Sequence, residues 1–427
     1  MVTPACASAP PRYRLITLGS HGDLLPFLHL AQGLQSLGRS VDLIGSPMHR
    51  AATQAQGLGF RSWCSEADEQ QVLQDPRLLD PRRCLEALFS DFDRHLRAQV
   101  QLLRAGEPAD VLIAHPMTVS AAALARAAGA ARFVVSACLA PSNLRSCADP
   151  LHIGPLRVAP WVPQALRRGL WWWVDRRVVD PLTLPGLNAL RAQQGLAPVG
   201  RFLPHLQQAP DATLTLFPDA FAPPPTDWPT PQLAHGFPLQ QDGDPRPDPG
   251  LEAFLARHPR PWVFTAGTAN QQAMAFFAAA VGALGRLGQP GLLLSRSLAQ
   301  LPRELPGGVA GFAYLPLGSL LPRAAGLVHH GGIGTTAEAL RAGLPQLVTP
   351  FAFDQFDNAA RLQALGVAEV LPAAKLNADR LARGLQALAA RAQADPAPWR
   401  RWADALAQPP QAEPLLGALE QRLGLAH

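Results

Sequence analysis

The stretch LVHHGGIGTTAEALRAGLPQLVTPFAFDQFDN, residues 327–358, reads as strand, glycine-rich turn, helix and strand. The apolar run at 327–328 ends on His329 and His330. Gly331, Gly332 and Gly334 let the backbone approach a ligand closely. The pattern predicts a helix from Thr335, whose unpaired N–H groups and positive dipole end suit a phosphate. His330 can donate a hydrogen bond to the same anion. Asp354, Gln355, Asp357 and Asn358 follow the next strand, 347–349. Loops after parallel strands gather at one carboxyl edge of the sheet. These acids and amides are therefore expected beside the phosphate, a combination that points to a sugar nucleotide; capping of the next helix is the competing reading.

The same alternation fills the rest of the chain. Apolar runs at 15–18, 41–44, 111–114, 133–135 and 213–217 predict strands in the first half, and runs at 262–265 and 292–294 predict them in the second. Helices are expected over 119–128, 270–287 and 356–365. Another has Phe27, Leu30, Ala31, Leu34 and Leu37 on one face and Gly38 at its end. Short apolar runs alternating with helices imply an α/β chain with parallel sheets covered on both faces, in two Rossmann-like domains. Nine prolines between Pro223 and Pro249 exclude a regular helix or a central strand and predict an extended linker. The expected units are 1–235, 236–405 and a tail, 406–427, that packs back on the first domain.

Hydrophobic residues make up 48% of the 427 and charged residues 16%, which implies a folded core. The formal charge of +5 is spread thinly, with 21 basic against 18 acidic residues up to position 240 and 16 against 14 after it. No concentrated basic footprint exists, so nucleic acid is not an expected partner. Five cysteines without a C-x-x-C pair suit a reducing compartment. No apolar run reaches the ~18 residues that would span a membrane. A cytoplasmic protein is expected, with peripheral membrane contact left open by one segment. There, Trp171, Trp172 and Trp173 stand among Arg167, Arg168, Arg176 and Arg177. Such a mixture lines a lipid-accepting groove, lies on an anionic membrane, or packs tryptophans between domains beneath snorkelling arginines.

A second turn, Gly19-Ser20-His21-Gly22-Asp23, follows the first strand. It is not G-x-G-x-x-G, and Gly45-Ser46 stands where a dinucleotide site has its acid, so a nicotinamide dehydrogenase is a weak alternative. His21 and Asp23 suit proton transfer; for Asp23 the competing reading is a helix cap. Two D-x-D triplets, Asp91-Phe92-Asp93 and Asp242-Gly243-Asp244, read as chance.

The patterns G-S-x-G-D-x-x-P-x-x-x-L-A, H-H-G-G-x-G-T-T-x-E-A-L and P-F-x-x-D-Q-x-x-N-A resemble nucleotide-sugar glycosyltransferases of the two-domain GT-B type. The closest branch looks like the rhamnosyltransferases of the rhamnolipid pathway, beside sterol and antibiotic glycosyltransferases. QDPRLLDP at 74–81, LFPDAFAPPPTDWP at 216–229 and HGFPL at 235–239 favour that branch. The resemblance implies that His330, Gly332, Gly334 and Thr335 hold the diphosphate and that Glu338 contacts the ribose. Asp354 and Gln355 would bind the sugar, with Gly267 and Thr268 also lining the donor cleft and Tyr314 stacking on the base. Asp23 would be the base, with His21 as second choice. Trp171, Trp172 and Trp173 would help form the acceptor side. No metal and no resident cofactor are required. The implied reaction inverts the anomeric centre and moves a sugar from a thymidine- or uridine-linked donor to a hydroxyl of a lipid-like acceptor. A Glu at 338 suits the uridine 2′-hydroxyl, which thymidine lacks, so both nucleotides stay open. A sterol glucosyltransferase, or a non-transferring epimerase or binding protein of the same fold, is the alternative.

Overall fold

The computed structural model describes residues 10–425 except 150–151, 154–155, 230 and 240–247. The first sheet contains β1 (Arg12–Ile16), β2 (Ser40–Gly45), β3 (Gly59–Ser62), β4 (Ala109–Ala114), β5 (Ala131–Cys138), β6 (Ala212–Thr215) and β7 (Gln232–Ala234). Its order is β3-β2-β1-β4-β5-β6-β7, all parallel. The second sheet contains β8 (Trp262–Thr265), β9 (Gly291–Leu294), β10 (Val309–Phe312), β11 (Gly326–His329), β12 (Gln346–Val348) and β13 (Ala368–Val370). Its order is β10-β9-β8-β11-β12-β13, also parallel. In both sheets the direction of winding reverses beside the first strand, between β1 and β4 and between β8 and β11. Ligands of doubly wound sheets bind in the crevice at such reversals.

Successive side chains of a strand point to opposite faces, and here both faces are buried. Leu15 packs against α1 (His21–Ser36), whereas Ile16 joins the opposite cluster with Leu112 and Val134. Phe264 and Val263 divide in the same way in the second sheet. This two-sided cover explains why the central strands are continuous apolar runs. Gln232–Ala234 falls inside the proline-rich segment and pairs only with β6, the one kind of strand that neighbouring prolines allow.

The C-terminal helix α5 (Ala412–Leu423) lies against α1 of the first domain. Gly33 makes this approach close, since a Cβ there would stand 2.5 Å from that of Ala412. At its end, buried Glu420 accepts from the Tyr13 hydroxyl at 2.9 Å and takes a bidentate pair from Arg39 at 2.7 and 2.8 Å. Of the D-x-D triplets, Asp91 pairs with Arg94 and Asp93 packs against the backbone of Gly186; the second lies outside the described residues. Among the described residues, no helix is long and apolar enough to cross a membrane.

Candidate functional site

The reversal in the second sheet sets Thr265 of β8 beside His329 of β11, so the residues just beyond them, Gly267 and His330, share one crevice. The His330 ring lies between Gly267 and Gly332. A Cβ on Gly267 would come within 2.8 Å of His330 Nε2, and Gly267 also holds φ at 92°. Burial lowers His330 to about 4, so at neutral pH the imidazole is uncharged and keeps one N–H. Its Nδ1 is buried with no hydrogen-bond partner. His329 differs: its Nε2 donates to Gln346 Oε1 at 3.1 Å, and its Nδ1 accepts from Gly331 N at 3.2 Å. It braces the turn, and His330 faces the crevice.

Helix α3 (Ile333–Arg341) begins two residues before Thr335, with Gly332 as its N-cap. The first backbone N–H to find an acceptor in this helix is that of Thr336, on Gly332. The preceding N–H groups are therefore open to an anion. Gly334 is exposed and Thr335 half-buried beside them. One turn on, Glu338 forms an ion pair with Arg341. Tyr314 is 57% exposed with the Arg296 guanidinium 5.4 Å from its ring centre. Thr268, also exposed, follows Gly267.

Asp354 precedes helix α4 (Gln355–Ala364) at the N-cap position but does not cap it. Its Oδ2 accepts instead from Asn358 Nδ2 at 2.7 Å, and the same amide donates to Gly331 O at 2.9 Å. Burial first, and the carboxylate of Asp23 second, raise Asp354 to about 7. Gln355 is turned partly to structure, since its Oε1 accepts from the backbone of Phe351 and Ala352 at 2.8 and 3.1 Å. Only its NH2 end is left for a sugar. Asn358 is fully buried as a brace and Asp357 pairs with Arg361 at 2.8 Å, so the expectation that both face the ligand is corrected. Phe353 holds φ at 55° while its ring is exposed, a strained backbone directly before Asp354.

The first sheet supplies the facing wall. Ser20, not Asp23, is the N-cap of α1, and Asp23 sits at the third helical position. Ser20 N and Oγ donate to Asp23 Oδ2 at 2.7 and 3.0 Å, which leaves Oδ1 for an incoming hydroxyl. Burial raises the Asp23 carboxyl above the usual range, against the lowering effect of the Ser20 bonds. His21 moves the other way: burial first and Arg296 second lower it to about 4. A general base works best when its pKa lies near the operating pH, so these environments favour Asp23 over His21. Beneath the loop, buried His49 bonds through Nε2 to the carbonyls of Gly19 and Ser20 at 3.1 and 3.3 Å. Nothing in local sequence singles out His49, because 30 residues separate it from Gly19.

The three tryptophans divide. Trp171 is half-buried with the Arg145 guanidinium 4.0 Å from its ring centre, while Trp172 and Trp173 are exposed. The loop before them reaches the second domain, where Asp149 pairs with Arg361. Arg361 thereby links α4 to the acceptor-side loop. A separate concavity lined by Arg260, Trp262, Pro345 and Trp399 lies at the amino ends of β8 and β12, on the far side of the sheet from His330.

Residues 292–420 match the family described as erythromycin biosynthesis protein CIII-like, C-terminal domain. The chain is 30% identical over 392 residues to the O-mycaminosyltylonolide 6-deoxyallosyltransferase of Streptomyces fradiae, covering 88% of this chain and 89% of that one. It is 25% identical over 400 residues to a sterol 3-beta-glucosyltransferase of Candida albicans, of whose length it covers 25%. Among solved structures, it superposes on CalG4, the calicheamicin glycosyltransferase, with a TM-score of 0.71, 21% identity and coverage of 97% and 98%. The spinosyn rhamnosyltransferase SpnG, complexed with thymidine diphosphate, matches with a TM-score of 0.65, 18% identity and coverage of 96% and 100%. With two doubly wound parallel sheets and a relative of this identity along nearly its whole length, the chain belongs to the GT-B nucleotide-sugar glycosyltransferases.

Proposed function

We propose that the protein is an inverting transferase that moves a deoxyhexose, rhamnose first among them, from a thymidine diphosphate donor to a hydroxyl of a lipid-like acceptor such as a hydroxyacyl hydroxy acid. The observation that carries the transfer step is the juxtaposition of Asp23 on one domain with Asp354 and the open start of α3 on the other. Asp23 Oδ1 takes the proton as the acceptor oxygen attacks the anomeric carbon. The bond to the diphosphate breaks on the opposite face. The helix start at Ile333 and the N–H of His330 meet the charge that develops there, in positions fixed beforehand.

The donor assignment is supported by two facts. Glu338 is paired with Arg341 in its own helix through Oε2, so it is less available to a uridine 2′-hydroxyl than an unengaged carboxylate. The relative from Streptomyces fradiae is named for a deoxyhexose, and SpnG was solved with thymidine diphosphate. The acceptor assignment is supported by the exposed aromatic segment around Trp172 and Trp173. An acceptor of this kind would be met at a lipid surface in the cytoplasm. A second reading, a polycyclic alcohol glucosylated from uridine diphosphate glucose, is supported by the sterol enzyme of Candida albicans.

Incubation with thymidine diphosphate rhamnose and with uridine diphosphate glucose separates the readings. Each donor is offered a hydroxyacyl lipid, a sterol or no acceptor, and products are read by mass spectrometry. Rhamnosylated lipid is the expected product. Sterol glucoside would favour the second reading, and nucleotide release that ignores every acceptor would overturn transfer itself.

A further inference from the structure

Ten large apolar side chains stand exposed among the described residues, and six of them fall between positions 156 and 182. They are Leu156, Trp161, Leu166, Trp172, Trp173 and Leu182. Most belong to the helix α2 (Gln164–Val174) or the turn before it. Arg167 and Val174 of this helix are buried. Leu166 and Trp173, seven residues apart, share its outer face, and Trp172 lies beside them with Arg168 four residues away.

The display of Trp161 is built into the fold. The buried Arg167 guanidinium donates to the carbonyls of Val162 at 2.9 Å, Cys147 at 3.2 Å and Ala148 at 3.3 Å, and also to that of Pro160. One side chain thus fixes the turn on which Trp161 stands 83% exposed. The charges around it are of one sign. Arg157, Arg168, Arg176 and Arg177 are exposed, whereas the segment's two acids, Asp175 and Asp180, are buried. Asp175 is neutralised by Arg145 and Arg201, and Asp180 accepts from Phe202 N. Tryptophan, leucine and arginine without an exposed acid match the headgroup region of an anionic bilayer, where the rings enter the interface and the guanidinium groups meet phosphates.

We propose that this face docks the protein on an anionic lipid bilayer. The docking goes beyond the transfer reaction and is measured with no donor or acceptor present. The full-length chain is floated with phosphatidylcholine vesicles and with vesicles containing roughly one-third phosphatidylglycerol. Binding to the second alone, with a blue shift of tryptophan fluorescence and release by high salt, is the expected result. Arg168→Glu and Arg176→Glu each should weaken partition by about fivefold per charge lost or more. Trp161→Ser should weaken it at low salt while leaving the circular dichroism and the nucleoside diphosphate affinity unchanged. Equal binding to both vesicles, or none, overturns the proposal. So does concentration-dependent self-association in analytical ultracentrifugation that the same substitutions abolish, which would assign the face to a second copy of the chain.

Discussion

Replacing Gly267 with alanine should weaken nucleoside diphosphate binding as much as removing His330 itself. Gly267 holds φ at 92°, in the region that costs an L-residue roughly 1–2 kcal/mol. Its new Cβ would stand 2.8 Å from His330 Nε2, closer than two such atoms can remain. Backbone strain alone would lower stability by that modest amount. The larger effect is on position, since the ring must swing out of the space between Gly267 and Gly332. A hydrogen bond to a charged group is worth about 1.5–3 kcal/mol, which is roughly 10- to 150-fold in affinity. Titration calorimetry of thymidine diphosphate into Gly267→Ala, His330→Ala and the double variant measures this. Both single variants should fall in that range, and the double should be no weaker than His330→Ala, because both act through one ring. Wild-type affinity in Gly267→Ala, or additive losses in the double variant, would refute a donor role for His330 and with it the reason for these glycines.

Three further outcomes follow from the same geometry. Asp23→Asn should reduce kcat by about 10²–10⁴-fold in single-turnover assays while donor affinity stays within a factor of a few; an active variant removes Asp23 as the base. Asp354 is raised to about 7 partly by Asp23, so the pair holds a proton below that pH. Asp354→Asn removes a like charge beside Asp23 and should therefore move the acid limb of the rate to lower pH; a limb that stays in place denies the coupling. Glu420→Ala leaves the half-buried Arg39 unpaired and the buried Tyr13 hydroxyl without its acceptor, and should cost roughly 1–3 kcal/mol in urea unfolding. Under 1 kcal/mol would mean that α5 is only loosely held.

The strands that sequence patterning finds and those it misses differ by one physical property. The nine found are interior strands, each covered on both faces and therefore written as an apolar run. Of those missed, β3, β7, β10 and β13 are the four edges of the two parallel sheets, and the rest form a short antiparallel pair, His152–Ile153 with Leu156–Arg157. The edge residues are largely half-exposed, as in Gly59–Ser62, and edge strands are short and polar because they must not template pairing with other chains. The donor turn was legible because histidine and glycine are restrictive at a strand–helix junction. What the sequence could not separate were roles set by distant partners. His329 and His330 differ only through Gln346 and Gly267, and Asn358 is a brace only because Gly331 O lies above it. The helix starts at Ile333, two residues before the expected Thr335, because Gly332 adopts the extended conformation of an N-cap.

Capping and catalysis do not compete at Asp23. Ser20 occupies the cap position and binds one carboxylate oxygen twice, which fixes the orientation of the other. His49 holds the carbonyls of Gly19 and Ser20 from below, so the loop cannot rotate away. Across the crevice, Asp354 accepts from Asn358 through Oδ2. The two carboxyls oppose each other's ionisation. A hydroxyl donated by the bound sugar stabilises the ionised form of Asp354, and ionised Asp354 raises the proton affinity of Asp23. With Asp354 on the donor sugar and Asp23 as base, as proposed, donor binding would strengthen the base. This coupling depends on a fixed distance between two domains. Arg361, paired with Asp149 on the acceptor side and Asp357 on its own helix, holds the front of the cleft. Helix α5, clamped to Tyr13 and Arg39, ties the end of the second domain to the back of the first. Cutting either strap would separate the carboxyls and should therefore weaken the base before it weakens the donor site.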